Sequence, residues 1–238
     1  MRIGERGTRV AVASSCLLAI LVFLSSVALG EAVCSDSFDN AGSGWDVGTS
    51  DVGTTEYRNG IFQIRMARPD ELLWSWSPCG SVPDSFIIAA TGRTHPGIDA
   101  ASWGIVWGVG DENLLAFLIT PTGLTTAVSM REGKWQRPPI AWKESTAIDR
   151  GDGVQNRLRV TVDGSSVTVR INNLDVGHFE TGEFPDLGAE LLEGADSSAP
   201  GPVSLADGDG WRVGVIAGSF EMTPVKLNFD SFEVFALP

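Results

Sequence analysis

The stretch NRLRVTVDGSSVTVRINN, residues 156–173, decides the fold class of this chain. Apolar and polar residues alternate on both sides of a turn formed by Asp-Gly-Ser-Ser at 163–166. The alternating apolar residues are Leu158, Val160, Val162, Val167, Val169 and Ile171. Because successive side chains on a strand point to opposite faces, this pattern predicts an antiparallel hairpin with one buried face.

Similar short alternating segments, separated by turn residues, continue along most of the chain after residue 35 and predict about a dozen strands. So many strands without helices to cover a parallel sheet imply antiparallel sheets that pack face to face. We therefore predict an all-β chain, with a two-sheet antiparallel β-sandwich as one domain over residues 31–238. One segment interrupts the pattern. Residues 182–210 hold seven acidic residues, no basic residue and three prolines, which predicts a long acidic surface loop.

The first thirty residues predict an export signal. Three arginines among the first nine residues precede an uncharged apolar stretch over residues 10–29. Small residues at Ala28 and Gly30 fit a cleavage site after Gly30, and a cut after Ala32 is the alternative. An uncleaved membrane anchor is the other interpretation, because about twenty residues suffice to span a bilayer. We predict a signal peptide at 1–30 and a secreted or cell-envelope protein.

Two cysteines, Cys34 and Cys79, remain once the signal peptide is removed. Two thiols in an oxidising compartment usually pair, so we predict a disulfide between them. Two free thiols are the alternative, because a sequence does not give the geometry that a disulfide needs. The bond would tie the start of the mature chain to the body of the domain.

The charge of the chain excludes one class of partner. The formal net charge is −13 at pH 7, and the arginine-rich signal peptide is itself positive, so the mature domain is more acidic still. Such a surface repels phosphate backbones, and we expect no nucleic-acid partner. We expect a membrane contact only if the leader stays uncleaved.

The sequence motifs of common catalytic sites are missing. The two histidines, His95 and His178, lie in no HExxH-type zinc pattern, and no GxSxG or GK[ST] motif is present. Asp111 and Glu112 are the nearest candidates for the paired carboxylates of a glycoside hydrolase. Adjacent residues on a strand face opposite ways, and in a turn both are solvated, so we predict no catalytic residue.

Tryptophan is the residue type that suggests a binding site, with eight tryptophans against one tyrosine. Trp74 and Trp76 share one strand face, and Trp103 and Trp107 share another. Indoles at such spacings can stack on successive sugar rings, and they can equally fill the core of a sandwich. We take these four as candidate ligand-binding residues, with the core as the alternative.

The order of several short motifs resembles that of a known family. The motifs are Asp36-Ser37-Phe38-Asp39, Gly44-Trp45, Leu72-Leu73-Trp74-Ser75-Trp76, Trp103-Gly104-Ile105-Val106-Trp107, Asp111-Glu112-Asn113 and Asn228-Phe229-Asp230-Ser231-Phe232. Together they resemble bacterial extracellular concanavalin A-like lectin/glucanase (jelly-roll) domains over nearly all of the mature chain. The resemblance implies a jelly roll whose first and last strands pair, and a concave sheet that receives a carbohydrate in many relatives. Hydrolytic relatives carry a Glu-x-Asp-x-x-Glu pattern, which is missing here.

The resemblance also implies a metal site. It places Asp39 and Asp230 on neighbouring strands, where similar folds often hold one structural calcium ion bound by oxygen ligands. Two ordinary surface aspartates are the alternative.

These observations together predict a noncatalytic extracellular recognition module that binds a carbohydrate or another cell-envelope component. A glycoside hydrolase or lyase with an unusual carboxylate pair is the first alternative. A structural envelope protein without a small ligand is the second.

Overall fold

The computed structural model describes residues 31–96, 98–151, 153–181, 210–221 and 224–237. The predicted signal peptide at 1–30 and all but the last residue of the predicted acidic loop at 182–210 lie outside these residues. Within the described ranges the regular structure consists of β-strands, and no helix there is long and apolar enough to span a membrane.

The described part of the chain contains sixteen strands. They are β1 (Ala32–Asp36), β2 (Gly48–Thr49), β3 (Gly53–Tyr57), β4 (Phe62–Met66), β5 (Leu72–Trp76), β6 (Ser85–Thr94), β7 (Ala101–Gly110), β8 (Asn113–Ile119), β9 (Leu124–Arg131), β10 (Lys134–Trp135), β11 (Ile140–Glu144), β12 (Asn156–Asp163), β13 (Ser166–Ile171), β14 (Leu174–Glu180), β15 (Arg212–Ser219) and β16 (Val225–Ala236).

These strands form two sheets. The nine-stranded sheet has the order β14-β13-β12-β6-β16-β4-β3-β2, with β1 also paired to β16. The seven-stranded sheet has the order β10-β9-β8-β7-β15-β5, with β11 also paired to β9. Every pairing is antiparallel. The predicted two-sheet antiparallel β-sandwich is therefore confirmed, and so is the pairing of its first and last strands.

The hairpin at residues 156–173 forms as its alternation predicts. Val160 lies opposite Val169, and Val162 lies opposite Val167, across β12 and β13. All four valines are buried between the sheets, whereas the intervening side chains point outward. Burial of one face fixes the register, because a shift by one residue would turn every valine towards solvent.

The core between the sheets is rich in aromatic residues. Trp103 and Trp107 on β7 belong to it, with 2% and 0% of their surfaces exposed. The ring of Trp103 meets that of Phe229 edge to face, with centroids 5.7 Å apart. Large aromatic side chains bury much apolar surface, so these residues hold the two sheets together.

The predicted disulfide between Cys34 and Cys79 is confirmed, with the two Cα atoms 5.7 Å apart. Cys34 lies on β1 in the nine-stranded sheet, and Cys79 follows β5 at the edge of the seven-stranded sheet. The bond therefore cross-links the two sheets as well as fixing the first strand.

The Asp36–Trp45 motif also has a structural role. The Asp36 carboxylate accepts hydrogen bonds from the Ser43 hydroxyl and, at 3.0 Å, from Trp45 Nε1. The Tyr57 hydroxyl meets Ser43 Oγ at 2.6 Å and accepts a hydrogen bond from the Trp45 backbone nitrogen. These bonds satisfy the polar atoms around a tryptophan that is buried in the core.

Candidate functional site

The seven-stranded sheet is apolar on both faces. One face belongs to the core, and the other, which we call the outer face, points away from the nine-stranded sheet. Because side chains alternate along a strand, Trp103 and Trp107 face the core, and Gly104 and Val106 lie on the outer face. A second apolar cluster covers this outer face. Its members are Leu72, Trp74, Trp76, Val106, Leu114, Ala116, Leu118, Val128, Met130 and Ile216.

The four tryptophans chosen from the sequence therefore lie on opposite sides of one sheet. Trp74 and Trp76 on β5 belong to the outer face. Trp103 and Trp107 lie in the core, out of reach of any surface ligand, because other side chains pack around both indoles. Trp76 is itself only 3% exposed, so of the four only the partly exposed Trp74 is available to a ligand on this face.

A cavity of about 470 Å³ opens on the outer face. We call this cavity and its lining the groove. The lining residues are Asp70, Glu71, Leu72 and Trp74 on the β5 side, and Val128, Met130, Trp135, Gln136 and Pro138 on the β9–β10 side. Trp135 is 47% exposed, and Trp74 is partly exposed. The volume lies in the range of small-molecule sites, and the lining has their usual mixture of apolar surface with a few polar groups.

Sequence reasoning did not place Trp135, Met130 or Gln136 in the site. β10 is only two residues long, and a pair of prolines follows it, so the alternation that reveals a strand is missing there. The signal that was available is the exposed tryptophan in Gly133-Lys134-Trp135, directly after a turn.

The sheet beneath the groove is built with small residues. Trp76 lies opposite Gly214 on β15, and Gly214 lies opposite Val106 on β7. A side chain does not fit at Gly214, since a Cβ there would lie 2.1 Å from the Ser75 backbone oxygen. The missing side chain leaves space on the outer face, over which the Trp76 indole can extend towards the β7–β8 turn.

Asp111 in the β7–β8 turn holds both outer-face tryptophans of β5. Trp74 Nε1 donates a hydrogen bond to Asp111 Oδ1 at 3.0 Å, and Trp76 Nε1 donates to the same oxygen at 2.8 Å. Arg212 stacks on the Trp76 ring, with its guanidinium carbon 4.8 Å from the ring centroid, and pairs with Asp46 at 3.3 Å. Two indoles are thus oriented by one carboxylate.

The charge state of Asp111 follows from these contacts. Burial raises the pKa of Asp111, but the hydrogen bonds from Trp74 and Trp76 and the charge of Arg212 lower it by more, so the net pKa is below its usual value. A carboxylate with a lowered pKa is a poor general acid at neutral pH. Asp111 therefore serves as a hydrogen-bond acceptor, a role that the sequence analysis did not consider.

Acidic side chains are confined to the margin of the groove. Asp70 and Glu71 are acidic, and none of the described lining residues is basic. The strands that cross the floor, β7, β8, β9 and β15, contain no aspartate or glutamate at all. The groove therefore has a negative border and a floor without carboxylates.

Asp39 and Asp230, the predicted calcium ligands, have other partners. Asp230 Oδ1 pairs with Arg93 at 2.9 Å, and Asp230 Oδ2 accepts a hydrogen bond from Gln155. Asp39 accepts a hydrogen bond from Ser37. Among the residues that the structure describes, no group of three or more His, Cys, Asp or Glu side chains could hold a metal ion. The Arg93 guanidinium at the Asp230 carboxylate would compete with a bound cation. The calcium site stays a prediction, and a melting temperature that depends on calcium would test it.

No protein-family model matches the chain, and no curated protein sequence matches it significantly. Solved structures do match. A Bacillus subtilis protein of unknown function with a galectin-like fold is 12% identical, with a TM-score of 0.58, over 87% of this chain and 97% of that one. A β-1,3-glucanase from Mycobacterium marinum is 13% identical, with a TM-score of 0.52, over 86% and 99%.

The chain shares the β-sandwich fold of these two proteins. A third similar structure, the Bacteroides ovatus xyloglucan PUL GH43B, is 15% identical, with a TM-score of 0.55 over 85% of this chain. The chain spans 39% of the length of that protein. Likeness at these identities concerns the fold, which agrees with the resemblance seen in the sequence.

Proposed function

We propose that this chain is a noncatalytic extracytoplasmic module that binds a neutral glycan in the groove of its seven-stranded sheet. The observation that carries the proposal is the groove itself, an apolar floor between Trp74 on one side and Trp135 on the other. Flat aromatic surfaces with nearby polar groups suit the apolar faces and hydroxyl groups of sugar rings. In this groove the polar groups are Asp70, Glu71 and Gln136.

Two observations support a glycan over a purely structural role. If the tryptophans only filled the core, none would be exposed, whereas Trp135 and Trp142 are 47% and 41% exposed. Several proteins of similar fold also have names that indicate an activity on carbohydrates, among them the β-1,3-glucanase and the GH43 protein described above.

The charge of the groove favours a neutral ligand. Asp70 and Glu71 line the cavity, and the whole chain carries a net charge of −13. Both the local and the overall field repel uronate and sulfate groups. We therefore expect neutral polysaccharides to bind, and acidic ones to bind much more weakly.

The noncatalytic role rests on the carboxylates. Glycoside hydrolysis requires two carboxyl groups across the scissile bond, one of them protonated as a general acid. The floor strands carry no carboxylate, Asp70 and Glu71 are neighbours on one side of the groove, and Asp111 at the end of the floor has a lowered pKa and two indole donors. An extracytoplasmic location is supported by the disulfide and by the predicted export signal.

The proposal is tested by calorimetric titration of the protein with soluble β-1,3-glucan, xylan and xyloglucan, each also assayed for release of reducing ends. We expect saturable binding without release. Trp135→Ala should weaken it about tenfold, because loss of one aromatic stacking surface removes on the order of 1.4 kcal/mol. Leu174→Ala is the matched control, since this exposed apolar residue lies on the other sheet and should leave the affinity unchanged.

Three outcomes would contradict the proposal. They are the absence of binding to every neutral polysaccharide, equal affinity of the Trp135 and Leu174 variants, and release of reducing ends. The last would favour the hydrolase alternative.

A further inference from the structure

Two aromatic rings meet over one end of the outer face. Trp142 lies on β11 at one border of the seven-stranded sheet, and Phe220 directly follows β15, with β7, β8 and β9 between them in the sheet. Their ring centroids are nevertheless 5.6 Å apart, in an edge-to-face arrangement. Such a contact requires both side chains to reach across the three intervening strands.

The strand neighbours of both rings place them on the outer face. Lys143 points towards the nine-stranded sheet, where its Nζ donates a hydrogen bond to the Val176 carbonyl oxygen at 2.9 Å, so Trp142 points the opposite way. Ala217 lies in the core, which by alternation puts Ser219 on the core side and Phe220 on the outer side.

The sheet beneath the aromatic pair is closed to water. Leu118 and Thr126 lie on the outer face at this end and are buried. Ser102, also on the outer face, is 0% exposed, and its hydroxyl has no hydrogen-bond partner within the described ranges. A buried hydroxyl without a partner is destabilising, so the covered position of Ser102 costs stability.

This covered end adjoins the groove. The Asp70 nitrogen donates a hydrogen bond to the Ser219 carbonyl oxygen at 3.0 Å, and the Ser219 nitrogen donates to the Glu71 carbonyl oxygen at 3.2 Å. The acidic wall of the groove is thereby attached to the residue that precedes Phe220. On the opposite side, Pro138 of the groove lies two residues before β11, which carries Trp142.

We propose that Trp142 and Phe220 form an end wall of the groove, so that the site binds the terminus of a glycan chain and excludes internal segments. This inference rests on the proposed function. An internal segment must leave the groove at both ends, whereas a terminus needs only one open end. The aromatic pair blocks the end that lies between Glu71 and Pro138.

The test counts binding sites on the soluble β-1,3-glucan, xylan and xyloglucan of the titrations above. Each polysaccharide is used intact and after partial acid hydrolysis to shorter chains of the same linkage. For wild-type protein we expect the binding capacity per unit mass of glycan to rise in proportion to the number of chain ends. A groove open at both ends would give a capacity that does not change with the number of ends.

Phe220→Ala and Trp142→Ala provide the second measurement. Opening the wall should let internal segments bind, so the binding capacity of the intact polysaccharide should rise. The capacity should then no longer be proportional to the number of chain ends. Circular dichroism melting checks that each variant is folded, and both rings are at the surface, so the sheets should persist. If Trp142→Ala does not fold, the wild-type comparison and Phe220→Ala still decide the matter.

The two proposals fail in different ways. A wild-type capacity that is constant per unit mass, or folded wall variants that behave like wild type, would overturn the end-wall inference and leave glycan binding intact. No binding by intact or hydrolysed polysaccharide would overturn both.

Discussion

Replacing Asp111 with alanine removes the one acceptor that Trp74 and Trp76 share. Their Nε1 atoms donate to Asp111 Oδ1 at 3.0 and 2.8 Å. A hydrogen bond to a charged group contributes about 1.5–3 kcal/mol, but water competes for this exposed carboxylate, so we expect Asp111→Ala to cost about 2 kcal/mol in total. In a domain of this size, such a loss lowers the melting temperature by about 4–8 °C.

The assay is thermal unfolding followed by circular dichroism, together with tryptophan emission at room temperature. Asp111→Asn keeps a carbonyl acceptor and removes only the charge, so its melting temperature should fall between those of wild type and Asp111→Ala. Glu112→Ala removes the same charge from the neighbouring residue and should change stability by less than about 0.5 kcal/mol. Equal melting temperatures for Asp111→Ala and Glu112→Ala would refute the argument that the two indole bonds matter.

The dependence on pH gives an independent check. The folded pKa of Asp111 is below its ordinary value of 3.8, because the two indole bonds and Arg212 outweigh the effect of burial, which raises it. A lowered folded pKa means that the charged form stabilises the fold above pH 3.8, and that this contribution disappears as the pH falls through the folded pKa. The stability difference between wild type and Asp111→Asn should therefore be constant near neutrality and shrink in acid. A difference that widens in acid would contradict this assignment.

Two further predictions concern the scaffold. Replacing Cys34 and Cys79 by serine removes a bond that spans 45 residues and should lower the free energy of unfolding by about 4 kcal/mol, as measured by urea titration. Reductant should destabilise the wild-type protein to the same level. An unchanged urea midpoint would show that the disulfide does not stabilise the fold. Gly104→Ala should lower the free energy of unfolding by about 2 kcal/mol or more, because a Cβ there would lie 1.8 Å from a backbone oxygen of β8. Gly48→Ala is the control: a Cβ at Gly48 would have no atom within 4 Å, so this variant should unfold like wild type.

The sequence predicted those strands in which burial is one-sided and regular. β12 and β13 have a buried residue at every second position, so their alternation defines both the strands and the register. β11 has a single buried residue, Ile140, and a bulge between Ile140 and Lys143 where the register shifts. The period-2 pattern is lost there, and β11 went unpredicted together with the two-residue β10.

The choice between core and surface tryptophans could not be made from the sequence for a different reason. Alternation shows that Trp74 and Trp76 share a face and that Trp103 and Trp107 share a face, but it does not orient either pair. Normally the more apolar face of a sheet is the core face. Here both faces of the seven-stranded sheet are apolar, because the outer face carries its own cluster around Trp76, so hydrophobicity does not separate them.

The position of the last strand governs when this protein can fold. β16 occupies the interior of the nine-stranded sheet, bonded on one side to β6 and on the other to both β4 and β1. During synthesis, β4 and β6 leave the ribosome long before the strand that must lie between them. Contacts between residues so distant in sequence form slowly, and until they form the edges of β4 and β6 stay unpaired. A nascent chain that pauses before residue 225 therefore presents two incomplete half-sheets, and its protection from aggregation in that interval must come from outside the fold.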